Sequence, residues 1–338
     1  MKTLMRSLND NYTPVIKIQR HTKGLMVVTW VINNICTNAC KYCPPNLHTG
    51  SNHHYDWENA KRFWQILLSK YPKMHVSISG GEPTLSPFLL DFCKMVSDSG
   101  NKVGITTNLA RTPRYMRTLA PYLEYCSASY HPSFEDKNFL EKALAAAEHT
   151  PTNIRVMMDS SYWDKSIKFL ERCKQHKNIT IETVKVIDWM PGNKAGREYS
   201  EDQLKWFENT DLFQDAEQMP KRKSTFKSTS NIQFADGEVL DSNGQEQELI
   251  NNGKTNFKGW RCNMGMESLF IQYTGKVYLA NCFQGGVIGD INDPDNIVWP
   301  KDSVICMKDI CHCTTDVLIT KQIATIKEND RKILYPRV

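Results

Sequence analysis

"LMVVTWVINNICTNACKYCPP", residues 25–45, begins as one kind of structure and ends as another. Leu25 to Asn34 is rich in β-branched and aromatic residues and reads as a buried strand. It runs directly into a loop that sets Cys36, Cys40 and Cys43 within eight residues. A disulfide, a zinc site, an iron–sulfur cluster and chance are the available explanations. The rest of the sequence must choose among them.

Downstream of this loop, strand and helix patterns alternate. "YDWENAKRFWQILLSKY" places Trp57, Ala60, Trp64, Leu67, Leu68 and Tyr71 on one helical face, with Asp56 as N-cap. Strands are expected at 74–79, 102–107, 125–130, 153–159 and 179–187. Helices are expected between them: "SPFLLDFCKMVSDSG" with Pro87 in its first turn and Gly100 at its end, then 112–122, 135–149 and 162–176. Six strands in such alternation predict an α/β fold with a parallel sheet or barrel. Ligands of such folds sit at the carboxyl ends of the strands, where the three-cysteine loop falls.

The pattern dissolves after about residue 190. Residues 219–260 are rich in Gly, Asn, Ser and charge and read as a polar connecting segment with one hairpin turning at Asp236-Gly237. "ESLFIQYTGKVYLANC" (267–282) then predicts a β-hairpin around Thr274-Gly275, flanked by Cys262 and Cys282 and followed by Cys306, Cys311 and Cys313. Cys93 and Cys173 fall in helices and Cys126 on the helix-facing side of its strand, so these three read as core thiols.

Neither a secretory signal nor an apolar run of membrane-spanning length is present, so the expected location is the cytoplasm. Eleven cysteines in a reducing compartment argue for metal binding over disulfides. The net charge of +5 is modest, and the one basic run, "KRKSTFK" at 221–227, reads as a solvated loop. Neither nucleic acid nor membrane is expected as a partner.

Three thiolates on one loop can bind three irons of a cubane and leave the fourth open, whereas a structural zinc ion takes four closed ligands. No fourth ligand adjoins: His48 is nearest, and His53 and His54 lie further along "HTGSNHH", which reads as a surface loop. Cys36-Thr-Asn-Ala-Cys40-Lys-Tyr42-Cys43 resembles the signature of the radical SAM superfamily. So does "SISGGEPTL" (77–85), at the end of the second strand, where that superfamily carries a Gly-Gly-Glu-Pro motif.

The resemblance covers about residues 25–190 and implies a partial (β/α)6 TIM-like barrel. It implies that Cys36, Cys40 and Cys43 ligate a [4Fe–4S] cluster whose open iron chelates S-adenosylmethionine. The backbone around Gly80, Gly81 and Glu82 would hold the methionine amino group. Asn108 and Ser129 would contact the methionine and ribose portions, with Tyr42 beside the cofactor. The implied reaction is reductive cleavage to a 5′-deoxyadenosyl radical that takes hydrogen from a substrate, with flavodoxin or ferredoxin as electron donor. The late hairpin resembles the twitch and SPASM extensions that follow such barrels. That likeness implies an auxiliary [4Fe–4S] cluster held by Cys262, Cys282 and two of Cys306, Cys311 and Cys313, the rival being zinc.

The expected layout is an extension (1–24), the barrel (25–190), a polar connection (191–260) and an auxiliary domain (261–338). The end "LYPRV" lacks the Gly-Gly tail of the molybdenum-cofactor GTP cyclases, and 24 residues before the first strand are few for a leader-peptide-binding domain. A small polar substrate such as a sugar or nucleotide is therefore expected, with peptide modification as the alternative. A non-catalytic redox sensor is the alternative of another class.

Overall fold

The structure is a computed structural model; it describes residues 14–324 except 49, 51–54, 135, 187–197, 212, 219, 221–226, 243–245, 247–248 and 251–252. The chain opens on β1 (Val15–Arg20), and β2 (Leu25–Val31) then leads into the cysteine loop. Four strand–helix units follow: α1 (Trp57–Lys70) with β3 (Lys73–Ser79), α2 (Leu89–Asp98) with β4 (Lys102–Thr107), α3 (Pro113–Leu119) with β5 (Tyr125–Tyr130), and α4 (Phe139–Ala147) with β6 (Thr152–Met158). α5 (Trp163–Cys173) and β7 (Thr180–Lys185) complete the series. β2 to β7 are parallel neighbours in chain order, the six-strand arrangement that the alternation predicts.

Side-chain alternation explains the layering. Met26, Val28 and Trp30 of β2, Met74, Val76 and Ile78 of β3, and Ile154, Val156 and Met158 of β6 enter one core with the helices. Cys93, Cys126 and Cys173 are buried in it as small apolar side chains. Trp30 lies at its centre, 5.1 Å from the Trp64 ring and 4.8 Å from that of Phe92. Removing one such side chain from water contributes about 1.5–3 kcal/mol. The opposite, concave face is half-buried and polar, with Ser77, Thr106, Ser127 and Arg155. Asp56 caps α1, accepting from the N–H groups of Glu58 and Asn59. Pro87 lies just before α2 rather than in its first turn, and Gly100 follows the helix at φ +79°.

After β7 come α6 (Glu201–Asn209), β8 (Phe213–Gln214), the hairpin β9 (Ser230–Phe234) and β10 (Val239–Asp241), and β11 (Trp260–Cys262). β12 (Ser268–Ile271), β13 (Lys276–Tyr278), β14 (Val287–Asp290), β15 (Val304–Ile305) and β16 (Lys321–Ile323) end the series. β12 pairs in parallel with β2, so the late hairpin extends the barrel sheet at its first edge. A second, antiparallel sheet has the order β10-β9-β1-β16-β11-β15.

This sheet joins residues from the expected N-terminal extension, the polar connection and the late cysteine region, so strand pairing crosses all three of those sequence segments. Val15, Ile18, Ile232, Phe234, Phe257, Cys306 and Cys311 share its core, and burying that apolar surface is the reason the segments associate. Among the described residues no helix is long and apolar enough to cross a membrane. "HTGSNHH" and "KRKSTFK" lie outside the described residues apart from His48, Gly50 and Lys227.

Candidate active site

The cysteine loop and the Gly-Gly-Glu-Pro turn leave adjacent strands, β2 and β3, and are hydrogen-bonded together. Gly81 N donates to Asn33 O at 2.9 Å and Glu82 N to Ile35 O at 2.7 Å. Asn33 Nδ2 donates to Glu82 O at 2.9 Å. The glycines are needed for this approach: a Cβ on Gly81 would stand 2.3 Å from Leu47 O and 2.4 Å from Ile35 O.

Glu82 is fully buried, and its carboxylate is an organising centre. Oε1 accepts from Thr84 N (2.9 Å), Thr84 Oγ1 (2.6 Å) and Thr107 Oγ1 (2.6 Å), while Oε2 accepts from Asn108 N (2.6 Å). Burial pushes the carboxyl pKa up, and these donors, which favour the charged form, oppose it. The side chain thus ties the end of β4 to the turn after β3. Asn108, the residue that follows β4, directs Nδ2 at Cys36 Sγ (3.4 Å) and Thr37 Oγ1 (3.3 Å). Its Oδ1 is buried with no hydrogen-bond partner among the described residues. Leu109 follows in the left-handed region at φ +58°, and Lys142 Nζ donates to its carbonyl at 2.9 Å. That backbone turn aims Asn108 at the loop.

Cys36, Cys40 and Cys43 are free thiols on one turn, closed by Cys43 N donating to Cys40 O at 3.0 Å. Burial pushes the Cys40 thiol up to about 12 and the Cys43 thiol up to about 11, and it raises that of Cys36. They hold their protons until a metal displaces them. Asn38 N already points at Cys36 Sγ, 3.3 Å away. Beside them opens a cavity of about 220 Å³ whose wall includes Thr37, Asn38, Asn108, Ser129 and His131.

Ser129, on β5, registers with Arg155 on β6, which in turn registers with Glu182 on β7 and is ion-paired to it at 2.9 Å. Tyr42 hydrogen-bonds His131 Nδ1 at 2.7 Å. The ends of β2, β3, β4 and β5 therefore link Glu82, Asn108 and Cys36 and set Ser129 on the cavity wall. Among the described residues no three thiols or carboxylates stand close enough to hold a metal ion. His131, Asn33 and Arg155 were not expected; of these, His131 carried a signal, since "SASYHP" places it one residue past a strand end.

Burial, with Arg155 adding to it, holds the His131 pKa down at about 4, so the ring is neutral and accepts the Tyr42 proton donor or donates through its other tautomer. A histidine with a depressed folded pKa contributes stability that is present above its unfolded pKa, about 6.5, and is lost as pH falls towards 4. The expected contribution is at most about 3 kcal/mol. His131→Gln should flatten the acid limb of the stability curve between those two values, as read by urea unfolding across pH. An unchanged acid limb would show that the ring takes up its proton as readily in the fold as in the unfolded chain.

The second cysteine group surrounds a small cavity between the two sheets. Cys262, Cys282, Cys306 and Cys311 line it together with Lys321, Asp316 and Phe257. Cys313 does not line it; it precedes the short helix Thr314–Val317 as its N-cap. Burial raises the thiols of Cys262 to about 11 and of Cys311 to about 12. The Asp316 carboxylate accepts from Asn281 Nδ2 (3.2 Å) and Cys282 N (3.0 Å), which fixes the loop after β13 against the late cysteines.

Among solved structures, SuiB of Streptococcus suis bound to the precursor peptide SuiA aligns with 82% of this chain and 65% of its own, at 13% identity and a TM-score of 0.50. SuiB bound to S-adenosylmethionine aligns over 77% of this chain at 15% identity and a TM-score of 0.45. The chain spans 61% of the length of that second SuiB chain. Native anSMEcpe with bound AdoMet and the Kp18Cys peptide aligns over 80% of this chain and 78% of its own, at 15% identity and a TM-score of 0.44. No curated protein shows significant similarity to the chain. The family model of the Radical SAM superfamily matches residues 30–194. That span contains the three-cysteine loop, the Gly-Gly-Glu-Pro turn and the residues that line the cavity, and it is similar to a radical SAM domain.

Proposed function

We propose that this protein is a radical SAM enzyme that modifies a peptide. The observation that carries the cofactor assignment is that the Cys36–Cys43 loop and the Gly80–Glu82 turn are hydrogen-bonded together and Glu82 holds Asn108 against Cys36, beside a cavity that Thr37, Asn38, Asn108 and Ser129 line. The donor set fits the cofactor pair. Three thiols lie on one turn, two N–H donors point at Cys36 Sγ, and an unpartnered carbonyl oxygen of Asn108 waits beside them.

When bound, a [4Fe–4S] cluster with S-adenosylmethionine supplies one-electron cleavage of the sulfonium and a hydrogen-abstracting group. Cys36, Cys40 and Cys43 would anchor the cluster at three corners. Hydrogen bonds from Asn108 and Asn38 to Cys36 Sγ would delocalise the thiolate charge and favour reduction. The backbone around Gly80, Gly81 and Glu82 would face the methionine amino group; Asn108 and Ser129 would orient the rest, with Tyr42 held in place by His131. A half-buried concave wall limits water around the reacting atoms. Cys262, Cys282, Cys306 and Cys311 would hold an auxiliary [4Fe–4S] cluster, and a flavodoxin or ferredoxin would deliver the electron.

The peptide class is preferred to the small polar substrate because one solved structure of similar fold, at a TM-score of 0.50, was captured with a precursor peptide. Co-expression with short peptides encoded beside its gene, followed by mass spectrometry of each peptide, tests the substrate class. A modified peptide that accumulates only with Cys36, Cys40 and Cys43 intact is the expected result. 5′-Deoxyadenosine formation stimulated by a sugar or nucleotide, with every peptide unchanged, would instead favour the small substrate. An iron-loaded, reduced protein that forms no 5′-deoxyadenosine would sink the enzyme reading in favour of a sensor.

A further inference from the structure

A lysine lies beneath the second cysteine cavity with no carboxylate bonded to it. Lys321, on β16, is 3% exposed. Its ammonium donates to the main-chain oxygen of Asp316 at 2.6 Å, stands 3.9 Å from Cys311 Sγ, and faces the Phe257 ring 4.6 Å from its centroid. The Asp316 side chain is engaged elsewhere, by Asn281 and Cys282 N. Cys262 is the direct cross-strand neighbour of Lys321 in the β11–β16 ladder.

Burying an ammonium in this way costs several kcal/mol unless negative charge faces it. Its cavity is shared by the thiols of Cys262, Cys282, Cys306 and Cys311 and by Asp316, whose carboxylate faces the ammonium without bonding to it. Protonated thiols add no negative charge to that one carboxylate; metal-bound thiolates do.

A second buried cation lies nearby, this one paired with a carboxylate. The Arg20 side chain is 2% exposed, and its Nε lies 3.4 Å from Glu267. Its Nη2 has no hydrogen-bond partner among the described residues. Its backbone N donates to Thr320 Oγ1, the residue before Lys321. Two paired strands of the same sheet, β1 and β16, thus each carry a buried positive charge, and that of Arg20 also interacts with Cys262.

Four thiolates on a cubane outweigh the charge of its core, and reduction adds one more negative charge. Nearby positive charge and hydrogen bonds to sulfur favour the reduced form. We infer that Lys321 is a positioning residue for the auxiliary cluster: it balances the thiolate charge, seats Cys311, and keeps the cluster's reduction potential high. The inference rests on the auxiliary cluster assigned above and adds to it the direction of its electrochemical tuning. A cluster held in this way is the better one-electron acceptor.

The test uses the full chain carrying Cys36→Ala, Cys40→Ala and Cys43→Ala, so that only the second site binds iron. Anaerobic redox titration followed by electron paramagnetic resonance is run on this parent, on Lys321→Met and on Lys321→Arg. At the parent midpoint, Lys321→Met should show at least a tenfold lower ratio of reduced to oxidised cluster, which is 59 mV for a one-electron couple. Lys321→Arg should titrate close to the parent. Loss of iron from Lys321→Met with retention in Lys321→Arg would equally support a charge requirement. An unshifted midpoint in Lys321→Met, or equal loss of iron from both variants, would overturn the role and leave Lys321 as packing. Absence of iron from the parent would overturn the auxiliary cluster itself.

Discussion

Replacing Cys36, Cys40 and Cys43 together with alanine should lower the iron of the anaerobically reconstituted protein from about eight to about four per chain. It should also abolish 5′-deoxyadenosine formation. The fold should survive, because the loop is held from outside the thiols: Gly81 N and Glu82 N bond to Asn33 O and Ile35 O, and Asn33 Nδ2 to Glu82 O. Cys36 and Cys43 are only half-buried, and Cys40, which is buried, lies outside both apolar core clusters, so their sulfurs contribute little to the core. Far-ultraviolet circular dichroism and the thermal midpoint should stay near those of the parent while iron, sulfide and product fall. A fall from about four irons to none would leave the first site standing and remove the auxiliary one. Iron unchanged by the substitutions would sink the cofactor assignment at these residues.

The α/β half of the molecule was legible because each of its units is local. A strand followed by an amphipathic helix repeats its own period within about 30 residues, and the apolar positions of β2, β3 and β6 alternate as a sheet covered on one face requires. The second sheet was not legible for the opposite reason. Its strands have two to six residues, and β1 finds β16 across roughly three hundred residues of chain. "VIKIQR" alone is too short and too charged to announce a strand. α6 is a different kind of miss: its capping box, Ser200 with Gln203, was present in "SEDQ" and would have marked the helix start.

The two candidate sites divide along the same line. The thiols of the first lie on one contiguous turn, and the Gly-Gly-Glu-Pro turn lies on the next strand, so a linear motif carries both. The partners that orient them come from further off. Asn108 reaches Cys36 across 72 residues and Tyr42 reaches His131 across 89. At the second site no spacing distinguishes Cys306 and Cys311 from Cys313. The distinction arises from packing, since Cys306 N and Cys311 N bond to Trp260 O and Thr255 O while Cys313 caps a helix. Lys321 has no sequence signature, being an ordinary charged residue until the fold closes over it.

Gly81→Ala should destabilise the barrel and slow its chemistry together. The added Cβ would meet two backbone oxygens, Leu47 O at 2.3 Å and Ile35 O at 2.4 Å, and backbone atoms have no rotamer by which to withdraw. The two loops must separate, and the bonds from Gly81 N, Glu82 N and Asn33 Nδ2 weaken together. At about 1 kcal/mol for each bond, plus the cost of overpacking, the loss of stability is about 3 kcal/mol or more. The displacement also pulls Glu82 away from Thr107 and Asn108, and so moves Asn108 off Cys36. A shift of about 1 Å in such a constellation costs on the order of a hundredfold in rate. Gly237→Ala is the matched control, since Gly237 sits at φ +91° with no atom within 4 Å of an added Cβ. It bears only the left-handed strain, about 1–2 kcal/mol. Urea unfolding and 5′-deoxyadenosine formation measured on both variants separate the two effects. If Gly81→Ala lost no more stability than Gly237→Ala and kept its rate, the close approach of the loops would not be what positions Asn108.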